Sequence, residues 1–157
     1  MFRGQGATEY LVLLAVVLIV ALVSVALLGF FPGMASDARI TQSQSYWRGQ
    51  ARPFAILENS CQTGAAAAST CTVVLQNVEA NGPYTITSLS IGACAANATS
   101  TAFAAGQTQT MNAGTCGAAT TLAGTVYDLG VNITYSTPNG ITGVKEYGTK
   151  NMIGKYV

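Results

Sequence analysis

The first fifty residues divide sharply by polarity. From Tyr10 to Phe31 only Ser24 and Gly29 interrupt a run of 22 otherwise apolar residues. A helix needs about 20 such residues to cross the hydrocarbon core of a bilayer. The run is apolar on all sides, so its surroundings must be lipid or other apolar helices. From Met34 to Gln50 the chain turns polar, with Ser36, Asp37, Arg39, Thr41, Gln42, Ser43, Gln44 and Ser45. This pattern predicts a helical stalk to about Arg48, ended by Gly49 and Pro53. Between the two parts, Pro32-Gly33 is expected to bend or interrupt the helix, because proline removes a backbone donor and clashes with the preceding turn. Ser36 or Asp37 would then suit the cap of a separate second helix.

From Phe54 onward the pattern changes to strands. Cys71 is followed by Thr72-Val73-Val74-Leu75-Gln76-Asn77, which ends before the turn signal Asn81-Gly82-Pro83. Tyr84 to Ile91 is rich in β-branched residues, and Val131, Ile133 and Tyr135 alternate with Asn132, Thr134 and Ser136. Thr137-Pro138-Asn139-Gly140 predicts a hairpin turn with a return over Ile141 to Tyr147. A last strand is expected within Asn151 to Val157, and weaker ones at Gln107 to Met111 and Thr125 to Leu129. Six to eight short strands imply an antiparallel sandwich or wrapped sheet. The fold class is therefore α+β: a long hydrophobic N-terminal helix followed by an all-β, sandwich-like head.

Composition narrows the chemistry. Charged residues make up only 8% of the 157, and the seven basic side chains form no cluster, so a nucleic-acid partner is not expected. No histidine is present, which removes the commonest general base and metal ligand and rules out a Ser–His or Cys–His nucleophile pair. The head acids Glu58, Glu79, Asp128 and Glu146 are far apart in sequence and form no motif. No catalytic residue and no cofactor is expected.

Cys61, Cys71, Cys94 and Cys116 all follow the apolar run. An even number in the exported part predicts disulfides, for which three connectivities exist. The local pairing Cys61–Cys71 with Cys94–Cys116 is expected. The rival is a four-cysteine zinc site, but no Cys-x-x-Cys pair is present, so no metal is assigned. Two N-glycosylation sequons occur, at Asn97-Ala98-Thr99 and Asn132-Ile133-Thr134.

Glu9, at the head of the apolar run, needs a separate account, because a carboxylate deeper in a membrane costs about 2.5–3.5 kcal/mol. A cut between Gly4 and Gln5 would create an α-amine four residues before Glu9, on the same helix face. That amine would give a carboxylate in an apolar assembly the partner it needs.

At these residues the chain resembles a known family. Arg3-Gly4-Gln5-Gly6-Ala7-Thr8-Glu9-Tyr10, in register with the long apolar run, is similar to the class III signal peptide of archaeal type IV pilins. The family often has Ser where this chain has Ala7. The stretch from Tyr46-Trp47-Arg48 to Arg52-Pro53-Phe54-Ala55-Ile56 is also similar to these pilins. The resemblance implies a leader over residues 1–4, cut by a prepilin peptidase between Gly4 and Gln5. It further implies a helical segment over 5–52, with its apolar part at 10–31 and its polar stalk at 34–50, and a head over 53–157. Gln5 and Glu9 become the assembly residues. The implied partners are membrane lipid before assembly, further copies of the chain in a helical filament, an assembly ATPase and a membrane platform protein. Surface attachment is the expected role of such a filament, outside the cell. Two other readings remain at this point: a single-span anchored surface protein with a ligand-binding head, and a minor pilin or tip adhesin.

Overall fold

The computed structural model of the chain describes residues 5–63, 70–114, 116 and 123–157. The expected leader over residues 1–4, including Gly4 of the cleavage site, lies outside them. The chain forms two compact units, Met1–Ala38 and Arg39–Val157. One helix, α1 (Gln5–Gly49), supplies all the described part of the first and enters the second.

The helix differs from expectation at Pro32-Gly33, where it is neither broken nor restarted. A single proline removes one backbone donor and leaves the hydrogen bonds of the flanking turns in place. The helix closes where Gln50 and Ala51 both donate their N–H groups to Tyr46 O.

Nine strands occur among the described residues. The first sheet joins β1 (Phe54–Cys61), β2 (Cys71–Asn77) and β5 (Thr108–Asn112) in the order β1-β2-β5. The second joins β3 (Tyr84–Ile91), β4 (Thr101–Phe103), β7 (Val131–Ser136) and β8 (Val144–Tyr147) in the order β4-β3-β7-β8. The third pairs β6 (Val126–Leu129) with β9 (Met152–Lys155). All pairings are antiparallel.

Two strands carry weak sequence signals for identifiable reasons. In β1 the register shifts between Ile56 and Glu58, so the inward and outward phases change within one strand and the period-2 signal cancels. Strand β4 has three residues, too few to show a period. The return after the hairpin also begins later than expected, at Val144, because Gly143 adopts φ +72°, which is not an extended conformation.

The head core comes from the inward positions of these strands: Phe54, Val73, Leu75, Ile86, Leu89, Ile91, Phe103 and Ile133 are all fully buried. Burying side chains of this size contributes roughly 1.5–3 kcal/mol each. Phe54 is the hub, packing edge-on against Phe103 at 5.3 Å and Tyr135 at 5.6 Å between ring centroids. Buried Asn77 ties the loops together. Its Nδ2 donates to Ala104 O at 3.1 Å and Phe103 O at 3.3 Å, while its Oδ1 accepts from Glu79 N.

Candidate functional site

The first unit presents an uncovered apolar surface. Large side chains from Tyr10 to Leu28 are exposed, with Leu14 the least so at 44% and Leu28 the most at 71%. Among the described residues this is the one helix long and apolar enough to cross a membrane. Ser24 does not spoil the run, because its Oγ donates to Val20 O at 2.7 Å and needs no partner from outside. Glu9 is exposed and shares an open groove with Thr8, Val12 and Leu13. The carboxylate thus sits against apolar neighbours four residues along the helix from Gln5.

The last turns of the same helix belong to the head. Trp47 is 2% exposed and meets Tyr46 edge-on at 5.3 Å. The Trp47 ring packs so closely on Gly148 that a Cβ there would overlap it. The Tyr46 hydroxyl accepts from Thr149 N at 3.1 Å, and Arg48 Nε donates to Leu57 O at 2.9 Å. Both aromatic residues therefore act as packing anchors between helix and strands.

Ser43 is the anchor that sequence reasoning missed. It is 3% exposed, its Oγ donates to Asn151 O at 2.8 Å, and it accepts from Ile153 N at 3.0 Å. In the sequence it is one hydroxyl among several, and only the seating of β9 beside the helix singles it out. Next to it an open polar cleft is lined by Arg39, Gln42, Asp128, Thr149, Lys150 and Asn151. Asp128 fills much of its own bonding capacity there. Arg39 Nη2 lies 2.9 Å from its Oδ2, and Asn151 Nδ2 donates to its Oδ1 at 2.7 Å.

The other head acids are dispersed. Glu79 meets Arg52 at 3.3 Å and Glu58 is exposed on β1. Glu146, 8% exposed, lies opposite Ile133 on the inner face of β8. Its Oε2 accepts from Phe54 N at 3.1 Å, while its Oε1 has no hydrogen-bond partner. Burial pushes its carboxyl up to about 7, and the backbone hydrogen bond from Phe54 opposes this only in part. Burial likewise pushes the Tyr127 phenol up to about 12, with neighbouring Tyr156 adding to the shift.

Cys61 is joined to Cys71 and Cys94 to Cys116. The first bridge spans the last register pair of β1 and β2. The second ties the loop after β3 to the segment after β5. The sequon residues differ in setting. Asn97 is half-buried, donates through Nδ2 to Asn112 O at 2.7 Å and accepts from Thr99 N through Oδ1. That leaves the second amide hydrogen of Nδ2 available. Asn132 is half-buried between inward Val131 and Ile133, and its Oδ1 is covered and unpartnered.

No protein-family model matches this chain, and neither any curated protein nor any solved structure is detectably similar to it.

Proposed function

We propose that the chain is a structural subunit of an extracellular filament of the archaeal type IV pilus kind, with surface attachment as its role. The observation that carries this reading is the uncovered apolar surface of α1 from Tyr10 to Leu28, continuous with a folded, disulfide-bonded head. A surface of this kind needs a partner along its whole length, and further copies of the same helix supply one. The register of Arg3-Gly4-Gln5, Glu9 and the apolar run supports the same reading.

In this mechanism a prepilin peptidase cuts between Gly4 and Gln5. The new α-amine pairs with Glu9 of its own or a neighbouring chain, and the apolar helices bury one another as the filament core. Loss of Arg3 leaves six basic against six acidic side chains, so a subunit packed many times over carries little self-repulsion. The membrane is as apolar as the filament core, so burial alone does not extract the helix. An ATP-driven machine with a membrane platform supplies that work.

N-terminal peptide mass spectrometry on material sheared from the cell surface tests the proposal. The expected result is polymeric protein beginning at Gln5. Detergent-soluble monomer beginning at Met1 would overturn it in favour of a membrane-anchored surface protein.

A further inference from the structure

The two disulfides lie beside one another. The Sγ atoms of Cys71, Cys94 and Cys116 all fall within 4.8 Å of one another, and the fourth sulfur, that of Cys61, is bonded to Cys71. All four residues are buried, between 0% and 9% exposed. Contacts other than the disulfides hold this corner together. Cys61 and Cys71 are a cross-strand pair of β1 and β2. Ala113 N donates to Cys71 O at 2.7 Å, which ties the segment leading to Cys116 onto β2. Gly114 is packed against the backbone of Ala95, beside Cys94, so closely that a Cβ at 114 would overlap it. Cys94 itself closes a turn by donating its N–H to Ile91 O at 3.0 Å.

We propose that the reduced head holds a thiophilic divalent cation of the zinc class at Cys61, Cys71, Cys94 and Cys116. In a tetrahedral tetrathiolate site with metal–sulfur bonds of about 2.3 Å, the sulfurs stand about 3.8 Å apart. The Cys71 sulfur already lies within 4.8 Å of both sulfurs of the other bridge, and the backbone contacts hold the surrounding segments together as the two bonded pairs open toward that separation. Soft thiolate ligands select such ions over hard ones. The absence of Cys-x-x-Cys spacing does not argue against the site, because its ligands come from four different segments that the sheets bring together. This inference does not rest on the filament reading.

A phosphine reductant opens each disulfide, giving two thiols and a phosphine oxide whose oxygen comes from water. The cation then displaces one proton from each thiol it ligates, so binding strengthens as pH rises.

The test uses the full chain in detergent, reduced with a phosphine without oxygen and titrated with Co2+. The expected result is one Co2+ per chain, with the absorption of a tetrahedral cobalt thiolate, absent from the oxidised chain. The double variant C94S/C116S is expected to bind more than about tenfold more weakly. Added Zn2+ is expected to raise the midpoint of thermal unfolding of the reduced chain. No cobalt thiolate absorption would overturn the proposal. So would equal affinity in the double variant, or a midpoint that Zn2+ leaves unchanged.

Discussion

The main-chain N–H of Phe54 donates to the carboxylate of Glu146 at 3.1 Å, across 92 residues of sequence. The bond connects the start of β1 to the edge strand β8 at Phe54, the residue whose ring meets Phe103 and Tyr135. An acid buried here satisfies a backbone donor of the core at the cost of its own hydration.

That cost makes the head sensitive to pH. The folded carboxyl titrates near 7, against 4.5 as the ordinary value, so the folded state binds the proton more tightly than the unfolded state. The contribution of Glu146 to stability is therefore fully present below pH 4.5 and is lost as pH rises through 7, by up to about 3 kcal/mol. Glu146→Gln is expected to flatten this dependence while keeping an acceptor for Phe54 N. Thermal unfolding of both proteins between pH 4 and 8 checks it, and parallel curves would count against the assignment.

Ser43 and Asp128 are expected to respond very differently to removal. Ser43→Ala removes a buried hydroxyl, leaves the half-buried Ile153 N–H without its acceptor, and is expected to cost about 1–3 kcal/mol. Asp128→Ala breaks an ion pair whose side chains are 65% and 40% exposed, worth about 0–1 kcal/mol in such a setting. Denaturant unfolding of the two variants gives the comparison directly.

Trp47→Ala is expected to destabilise the head by about 3–5 kcal/mol, since it empties a buried site at the end of α1. Gly148→Ala attacks the same contact from the other side by overpacking, at about 1–3 kcal/mol. Unfolding midpoints that match the parent protein in both variants would show that the helix end is not seated against Gly148, just after β8.

Glu9→Ala is expected to leave the head folded, with both disulfides formed, because Glu9 lies in the other compact unit. Under the filament proposal it abolishes or sharply reduces sheared polymer while membrane-bound subunit persists. Electron microscopy of shear fractions, with immunoblots of the membrane, reads both quantities.

Removal of the disulfides is expected to cost about 2–4 kcal/mol each, with the Cys94–Cys116 loop of 22 residues contributing somewhat more than the Cys61–Cys71 loop of 10. Thermal unfolding of Cys61→Ser/Cys71→Ser and Cys94→Ser/Cys116→Ser gives the order.

The sequence alone determined the long apolar helix and most of the β head. An uninterrupted apolar run and a period-2 alternation such as Val131 to Tyr135 are local signals that burial and exposure impose on each residue separately. Strands β2 and β7 could be read this way because each keeps one phase, whereas β3, whose register shifts between Ile86 and Ser88, was legible from its β-branched composition and the turn residues before it. Strand β1 could not, because its bulge reverses the phase at Ile56 and Glu58. The tertiary structure alone decided which polar residues became buried anchors. Ser43, Asn77 and Glu146 look like their neighbours in sequence. Their roles depend on backbone groups 110, 27 and 92 residues away. It also decided that four cysteines from separate segments share one corner. Hydrophobic period is a property of a segment, whereas a hydrogen-bond partner or a sulfur neighbour is a property of how distant segments pack.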